Sequence, residues 1–452
     1  MKTFDITTFG AVADGKTLNT QAIQAAAEAC RAEGGGILLV PAGTFLTGTF
    51  EIFSNTALLV EKDGHLLASP DLADHAVGEA SVGLLFAQDA QNIVLTGEGT
   101  LDGNAPGFFH QDLLHASHRE YLEHDTWQKR RGLTYGSETL EHGPLLPNNR
   151  PGNMLVFARC SNLRIENLRI TGAAYWTLHC ADCADVRIEN LRIENDLRIP
   201  NNDGIHLTTC RRAQIRHCWI ACGDDSIALT GFREHAGETG IAFGLTGLPG
   251  ACEEIEISDC TLISRSAGVR IGYGHNPVRK VRISRLDIRE SNRGIGIFAR
   301  QADVEDVLVE DCRIQTALAH GNWWGRGEPI HLSAVRFAGE PRLFSLKNLT
   351  FRDIEASGEN AVTLYAEEPG AISGVKMIRV RSVLRRGPLF ETWGGNLDLR
   401  PMANDRAAIT EGGTAPLWAI GVADLCCEEC SWTLEDEVDS PLSAEVVIRK
   451  TP

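Results

Sequence analysis

The sequence predicts an all-β chain that winds into a parallel β-helix with an N-terminal capping helix. A short segment of alternating apolar and polar residues recurs along the chain, few helical stretches interrupt it, and Gly, Asn and Asp separate the copies. A repeat of about 20–50 residues is typical of a solenoid, and short strands bounded by turn residues are its units. One such unit cannot bury its apolar face alone, whereas stacked copies can.

The first element is an Ala-rich segment over residues 19–30, with Asn19 at its head and three glycines at residues 34–36 behind it. This pattern predicts a helix that begins near Asn19. The end of a solenoid exposes unpaired backbone groups, and a helix can cover them. Residues 1–50 are therefore predicted to form the N-terminal cap and the first coils.

The repeats form the middle of the chain. Two long steps among otherwise similar spacings indicate coils that carry an inserted loop, since the steps are 23, 27, 42, 26, 26, 42 and 27 residues. These steps separate the matching apolar positions Ile165, Ile188, Ile215, Ile257, Ile283, Val309, Phe351 and Ile378. Asparagines tolerate the left-handed conformation of tight corners, and the candidates are Asn162, Asn167, Asn190 and Asn195.

Two segments break the repeat. Residues 104–150 carry several His and aromatic residues, so we expect an inserted loop that forms a wall of a cleft. Residues 386–452 lose the period and end in an acidic tail, which predicts terminal coils and a cap. The whole chain, residues 1–452, is predicted to be one domain.

Composition limits the partners and the compartment. The 452 residues carry a formal net charge of −17, which argues against nucleic acid because phosphate binding needs a basic face. No stretch is long enough to span a membrane and residues 1–6 show no apolar signal region, so we expect a cytoplasmic protein with no membrane partner.

Thirteen cysteines are an odd number, and they are scattered through apolar runs. That distribution indicates reduced, buried thiols rather than a disulfide framework. The tightest clusters are Cys180 with Cys183 and Cys426 with Cys427 and Cys430. For both we favour stacked core cysteines over a zinc site, which needs four convergent ligands.

Two acidic motifs lie one repeat apart, at residues 201–204 (Asn-Asn-Asp-Gly) and 223–226 (Gly-Asp-Asp-Ser). Asp203 and Asp225 should therefore stack at the strand spacing of about 4.8 Å, and Gly223 can supply a bend that lets Asp224 reach the same cleft. Crowded carboxylates raise at least one pKa, and glycoside hydrolysis needs a protonated acid beside an ionised base. Turn-capping aspartates are the alternative, but two motifs in register favour a catalytic site.

With these motifs the chain resembles glycoside hydrolase family 28, the polygalacturonase family, over most of its length. The motifs lie at residues 9–15 (Phe-Gly-Ala-Val-Ala-Asp-Gly), 97–103 (Gly-Glu-Gly-Thr-Leu-Asp-Gly), 150–151 (Arg-Pro), 175–179 (Tyr-Trp-Thr-Leu-His), 201–203 and 223–225. The resemblance implies a right-handed, single-stranded, pectin-lyase-like β-helix that inverts the anomeric configuration without a metal or other cofactor. It also implies that Asp224 is the general acid, that Asp203 and Asp225 activate water, and that Asn201 and Asn202 contact substrate.

Two cationic positions of that family are changed in this chain. Ala267 stands at the place of a histidine, and residues 296–298 (Gly-Ile-Phe) stand where the family has Arg-Ile-Lys, which grips a substrate carboxylate. Losing these cations removes charge-assisted bonds to a uronate, so the terminal sugar is expected to be galacturonate or a neutral sugar such as rhamnose. Candidate replacements for the missing cations are Arg270, Arg293, Arg300 and His275. For each arginine the alternative is a solvated side chain on the exterior of a coil.

A Gly-rich loop within the second long step carries Trp323 and Trp324. Adjacent indoles are either a platform for a sugar face or a hydrophobic plug over the flank of the solenoid. Glu328, just after them, is a candidate hydrogen-bond partner for a sugar hydroxyl. The long loops and the expected compartment favour exo action on cell-wall oligosaccharides.

Two other functions stay open. A polysaccharide lyase on the same scaffold would need a strong base, usually Lys or Arg, and commonly Ca²⁺, which the acidic cluster could bind. A non-catalytic β-helix that binds sugars is the third hypothesis. An unsaturated, ultraviolet-absorbing product would identify the lyase, and binding without turnover would identify the binding protein. The sequence gives no prediction of oligomeric state.

Overall fold

The computed structural model describes residues 1–114, 140–233, 243, 245, 247–320, 323–336, 339–390, 396–399, 409–411, 415–435 and 447–449. Over these residues the chain is a right-handed parallel β-helix, as the sequence predicts. Its strands stack in parallel into one 24-stranded and one 12-stranded sheet. Within the described part of the chain, no helix is both long and apolar enough to cross a membrane.

Most strands are short, as expected for a coil that turns a corner every few residues. In chain order they are β1 (Thr3–Asp5), β2 (Asp14–Leu18), β3 (Gly36–Val40), β4 (Gly43–Thr47), β5 (Phe50–Glu51), β6 (Thr56–Val60), β7 (Gly64–Ala68), β8 (Ala76–Val77), β9 (Ala80–Ser81), β10 (Leu85–Gln88), β11 (Gln91–Gly97), β12 (Thr100–Asp102), β13 (Phe109–Leu114), β14 (Leu145–Pro147), β15 (Leu155–Ala158), β16 (Ser161–Glu166), β17 (Arg169–Thr171), β18 (Leu178–Ala181), β19 (Ala184–Glu189), β20 (Arg192–Glu194), β21 (Ile205–Thr208), β22 (Arg211–Arg216), β23 (Trp219–Cys222), β24 (Ile227–Gly231), β25 (Cys252–Ser258), β26 (Thr261–Ser264), β27 (Ala267–Gly274), β28 (Val278–Ser284), β29 (Asp287–Ser291), β30 (Arg293–Phe298), β31 (Val304–Thr316), β32 (Glu328–Ala334), β33 (Leu346–Gly358), β34 (Val362–Ala366), β35 (Ile372–Leu384), β36 (Asn396–Asp398), β37 (Ile409–Glu411), β38 (Leu417–Ile420), β39 (Val422–Ala423), β40 (Cys426–Glu428), β41 (Ser431–Leu434) and β42 (Val447–Arg449).

Each complete coil contributes one strand to each of three stacks, as β19, β20 and β21 do. Two stacks form the 24-stranded sheet and merge in the long strands β31, β33 and β35. The third stack is the 12-stranded sheet, which runs from β5 to β42. The corner between the second and third stacks carries the acidic motifs.

The predicted capping helix is present as α1 (Thr20–Ala32). It buries Ile23, Ala26 and Cys30 against the first coils, which covers the start of the solenoid. The side chain of Asn19, the cap residue, bonds to Val12 and to the Leu46 carbonyl instead of the helix, so it fixes the helix to the β-helix. Short 3₁₀ helices lie at Ile6–Phe9, Leu72–His75 and Ala105–Phe108.

The repeat register agrees with the prediction along nearly its whole length. Ile165, Ile188, Ile215, Ile257, Ile283, Val309 and Phe351 pair in turn and point into the core. The last position was predicted wrongly, because Phe351 pairs with Met377 rather than Ile378. Both residues are apolar, so alternation alone did not distinguish a step of one residue; Met377 is fully buried and Ile378 is partly exposed.

Three of the four predicted corner asparagines adopt the left-handed conformation, since φ is 54° for Asn162, 64° for Asn167 and 53° for Asn190. Their side chains also stack between coils, as in the bond from Asn162 Nδ2 to Asn92 Oδ1 at 2.8 Å. Asn195 differs from the prediction. Its side chain instead bonds to the Ala173 amide and the Thr177 hydroxyl.

The cysteines agree with the prediction in the coils but not near the C-terminus. Cys180 and Cys183 are buried in the core, and the Cys160 amide donates to the Cys183 sulfur at 3.4 Å. Cys426 and Cys427 are exposed, contrary to the core position expected for them. Among the described residues, no group of three or more His, Cys, Asp or Glu side chains could hold a metal ion.

The predicted insertion at residues 104–150 begins and ends in β13 and β14, which pair as an antiparallel two-stranded sheet outside the solenoid. Its residues 115–139 lie outside the described residues. In the C-terminal segment, β38 and β42 continue the 12-stranded sheet, whereas β36 and β37 form a separate antiparallel pair.

Candidate active site

The two acidic motifs occupy the same corner of consecutive coils. Asp203 lies just before β21, and Asp224 and Asp225 lie between β23 and β24. Strands β21 and β24 pair in parallel, and the Gly204 amide donates to the Asp225 carbonyl at 3.0 Å. Asp203 and Asp225 are therefore axial neighbours, in the arrangement that their spacing predicts.

Two glycines allow this close approach. A Cβ atom on Gly204 would collide with the Ser226 carbonyl, and one on Gly223 would collide with the Ile199 carbonyl. Gly223 was expected to supply a bend. The chain does bend at Gly223 and Asp224. The φ of Gly223 is not in the left-handed region, so what the site requires of this residue is the absence of a side chain.

Asp224 is the most exposed of the three carboxylates, although it is still half-buried. Its Oδ2 accepts from the backbone N and Nδ2 of Asn201 at 3.2 and 3.3 Å, and its Oδ1 accepts from the Asp225 amide at 3.0 Å. Burial and the charge of Asp225 raise the pKa of Asp224 to about 7, because they outweigh these hydrogen bonds and the charge of Arg270. Near neutral pH the group can therefore both hold and release a proton.

Asp203 and Asp225 are each only 2% exposed and share one cation, Arg270. Arg270 Nε donates to Asp225 Oδ2, and its Nη2 lies 3.6 Å from Asp203 Oδ2. The other oxygen of Asp225 accepts from the Ala267 amide at 3.0 Å. Burial and the charges of Asp224 and Asp225 raise the pKa of Asp203 well above its usual range.

Arg270 was predicted as one replacement for the missing cations, with a solvated exterior position as the alternative. The structure places it in the carboxylate cluster, almost fully buried. In the next coil it pairs with Gly296, the first residue of the segment that replaces Arg-Ile-Lys. A Cβ atom there would lie 2.6 Å from the Phe298 ring, so position 296 has no room for a cationic side chain while Phe298 keeps this place.

Tyr273 and Arg300 extend this cluster. The guanidinium carbons of Arg270 and Arg300 lie 4.2 and 4.8 Å from the centre of the Tyr273 ring. Burial raises the pKa of Tyr273 to about 12. Arg300 keeps partial exposure, so it is the predicted cation nearest to solvent in this group.

Three residues outside the predicted set lie beside the carboxylates or hold the groups that contact them. His206 Nδ1 is 3.5 Å from Asp203 Oδ2, and its ring stacks on Trp176 with centroids 3.7 Å apart. His206 is the second residue of β21 and Asp203 precedes that strand, so the alternation of strand side chains does not keep the two residues apart. Arg150 Nη2 donates to Asn201 Oδ1 at 2.8 Å, which orients the asparagine that binds Asp224.

Several predicted substrate contacts are turned inward instead. Asn202 is fully buried and holds the loop, accepting from the Gly223 amide at 2.6 Å and donating to the Asp196 carbonyl at 2.9 Å. Glu328 is also fully buried, 3.4 Å from Arg293 Nη2. Although burial alone would raise it, the charge of Arg293 and the His331 contact lower the pKa of Glu328 to about 2. Arg293, likewise buried, is not the solvated exterior arginine considered above.

The Gly-rich loop that carries Trp323 and Trp324, here called the tryptophan loop, agrees only in part with the two alternatives. Trp323 is buried, with its Nε1 donating to the His142 carbonyl at 3.3 Å, which matches the plug rather than the sugar platform. Trp324 is half-buried. His275 is exposed just after β27, and the structure gives it no contact with the carboxylates.

Comparison with known proteins gives one family. The family model described as glycosyl hydrolases family 28 matches residues 30–316. A probable polygalacturonase from Vitis vinifera is 29% identical over 332 residues, which cover 68% of this chain and 60% of that protein. An exopolygalacturonase from Zea mays is 27% identical over 298 residues, covering 63% of this chain and 65% of the relative. The chain thus spans less than two thirds of each of these relatives.

A solved structure supports the fold. The hyperthermoactive exopolygalacturonase from Thermotoga maritima superimposes with a TM-score of 0.63 over 85% of this chain and 87% of that protein, at 23% sequence identity. At that identity the likeness establishes the shared β-helix, and the site must be judged from its own residues.

Proposed function

Because this chain belongs to glycosyl hydrolases family 28, we propose that it is an inverting glycoside hydrolase that removes terminal sugars from pectin-type oligosaccharides. The observation that carries the proposal is the pairing of unlike carboxylates. Asp224 is partly exposed with a pKa of about 7, and it lies beside Asp225, which is ion-paired to Arg270. Carboxylates whose environments differ in this way are suited to separate acid and base roles.

Asp224 is the general acid in this proposal. Its proton passes to the glycosidic oxygen as the bond from that oxygen to the anomeric carbon breaks. Asn201 positions the carboxyl group through two donors on Oδ2, and Arg150 holds Asn201. Partial exposure lets the acid reach a bound sugar and recover a proton from solvent afterwards.

Asp225 and Asp203 hold and activate the water. The water oxygen bonds to the anomeric carbon from the face opposite the leaving group, and its proton passes to the carboxylate that acts as base. Arg270 is ion-paired with Asp225, so Asp225 is suited to act as the base. Burial and the charges of Asp224 and Asp225 raise the pKa of Asp203, so Asp203 is suited to hold the water in place. Inversion follows from attack on the opposite face.

The cations around Tyr273 support a terminal galacturonate as the sugar that is removed. Arg270 Nη1 is buried and has no hydrogen-bond partner among the described residues, and a buried donor without an acceptor is costly. A substrate carboxylate or hydroxyl would satisfy it, with Arg300 as a second donor at the exposed side of the ring. A neutral sugar such as rhamnose would use the same donors through hydroxyl groups only.

The lyase alternative has less support from these residues. A β-elimination base must give up its proton readily, but the charges of Asp225 and Asp203 outweigh burial and raise the pKa of Arg270. Arg270 is therefore suited to hold carboxylates rather than to abstract a proton.

The test is to follow products from short oligogalacturonides by proton NMR and ultraviolet absorbance. We expect a reducing sugar of inverted configuration to appear first, without an absorbing unsaturated product. Retention of configuration, or an unsaturated product, would contradict the proposal. Release of rhamnose but not galacturonate from a mixed panel would correct the sugar and leave the mechanism in place.

A further inference from the structure

A second buried cluster of charges lies two coils beyond Asp225 in the same column of the 12-stranded sheet. Asp225 accepts from the Ala267 amide, Ala267 pairs with Arg293, and Arg293 pairs with Glu328. Side chains at these positions point in the same direction from successive coils. The proposed mechanism makes no use of this cluster.

Asp398, from the C-terminal segment, sits on top of the cluster and is fully buried. Its carbonyl accepts from Arg293 Nη2 at 3.0 Å, and its Oδ2 accepts from the Gly325 amide at 3.2 Å. Arg326 Nη1 lies 3.8 Å from the same oxygen. A distant segment of the chain is thus fixed across the column by ion pairs and hydrogen bonds.

The tryptophan loop completes this structure. Arg326 is buried and donates through Nη1 to the carbonyls of Trp323 and Gly325 at 2.9 and 2.8 Å, which closes the loop on itself. Glu328 Oε2 accepts from the Arg326 amide at 2.6 Å, so the loop is also tied to β32. We call residues 323–326 together with Asp398 the end wall.

The end wall is braced towards the catalytic corner. Trp323 Nε1 donates to the His142 carbonyl, and the His142 ring stacks on His320 at 4.4 Å. Three residues further on, the Leu145 amide donates to the Arg198 carbonyl at 2.9 Å. Arg198 belongs to the coil of Asp203, so residues 142–145 connect the end wall with the coil that carries the first catalytic carboxylate.

We infer that the end wall closes the substrate groove on the Arg293 side of the catalytic carboxylates and thereby fixes which chain end is bound. Two coils separate Arg293 from Asp225, a distance of about 10 Å at the strand spacing. That length accommodates a mono- or disaccharide unit and no longer chain. The inference rests on the proposed function, because it names the structural reason for release from an end.

The charges make the wall a permanent part of the site. Arg293, Glu328 and Asp398 are all buried, and removing one partner of such a group leaves another charge unpaired at high cost. The wall therefore excludes a continuing polysaccharide in the free enzyme as well as in the complex.

The test uses oligogalacturonides carrying a bulky fluorescent tag at one end or the other. Binding to Asp224→Asn is measured first, since it does not depend on hydrolysis. We expect a tag at the walled end to abolish binding and a tag at the opposite end to leave it unchanged. Equal binding of both tagged ligands would overturn the inference, even if the wild-type protein hydrolyses the untagged ligand.

Products of the wild-type protein provide the second measurement. A single small product should form from the start, whatever the substrate length. Asp398→Ala, and Trp324→Ala if that variant fails to fold, should lose this single-product pattern and release longer fragments. Asp185→Ala, at an exposed ion pair with Arg212, is the matched control that keeps it. Cleavage at internal bonds by the wild type would overturn the inference and leave the proposed hydrolysis intact.

Discussion

Arg270 forms an ion pair with Asp225, a residue 45 positions earlier in the chain, at the centre of the carboxylate cluster. The pair exists because β24 and β27 are neighbours in the 12-stranded sheet. The ion pair places a guanidinium among three carboxylates. Its positive charge offsets part of their mutual repulsion and of the cost of their burial. The acid and base roles proposed above depend on this cation.

Replacing Arg270 should change the pH profile as well as the rate. The charge of Arg270 lowers the pKa of Asp224, so Arg270→Met should move the alkaline limb of kcat to higher pH and reduce its maximum. Arg270→Lys keeps the charge without the forked geometry, so its maximal kcat and its alkaline limb should lie between those of the wild type and Arg270→Met. If the pH profile of Arg270→Met has the same shape as that of the wild type, whatever its absolute kcat, the role given to this cation is contradicted.

Asp224 should also leave a signature in stability. Its folded pKa of about 7 is above the 3.8 of an unperturbed aspartic acid, so the folded state binds the proton more tightly than the unfolded state. The stability this contributes is complete below about pH 4 and is lost as the pH rises towards 7. Thermal unfolding across this range should therefore show a smaller decline for Asp224→Asn than for the wild type. An identical decline in both proteins would argue against the raised pKa.

Gly204→Ala should damage the site without touching a charged group. The new Cβ would collide with the Ser226 carbonyl in the adjacent coil, and overpacking of this kind costs about 1–3 kcal/mol. We expect a lower melting temperature together with a loss of kcat, because the collision pushes Asp203 away from Asp225. Unchanged kcat in a folded variant would mean that the spacing of these two coils is not critical.

The Arg300→Ala variant tests whether the terminal sugar is a galacturonate. Hydrogen bonds to charged groups contribute about 1.5–3 kcal/mol, equivalent to about a tenfold or greater rise in KM for a galacturonide. The value of kcat should change little, because Arg300 is not assigned to the reacting atoms. Arg212→Ala, on the outer face of the solenoid and paired with Asp185, is the control. An unaltered KM would favour a neutral sugar or a different carboxylate site.

The fold and the position of the carboxylates could be predicted from the sequence because both follow from the length of the repeat. Residues one repeat apart become axial neighbours in any parallel solenoid, so Asp203 and Asp225 could be placed together before any coordinates. The slip from Met377 to Ile378 shows the limit of this reasoning: where adjacent residues are both apolar, the pattern does not fix the register.

The environment of the cations could not be predicted in the same way. Whether Arg270 and Arg293 are solvated or buried depends on which segments cover the 12-stranded sheet, and those segments are remote in sequence. Trp323 meets a carbonyl 181 residues away, and Gly325 meets Asp398 73 residues away. Contacts of this kind do not follow the repeat, so the sequence pattern does not reveal them. A buried Glu328 could have been suspected from its position at the head of an apolar strand, but its partner could not.

The central claim is that Asp224 supplies the proton to the leaving group, and the turnover of Asp224→Asn measures it most directly. The asparagine is nearly the same size and cannot act as an acid, so kcat should fall by about 10² to 10⁴ with KM nearly unchanged. Asp185→Asn, with the same chemical change at an exposed ion pair, should keep wild-type kcat. Wild-type kcat in a folded Asp224→Asn protein would contradict the account.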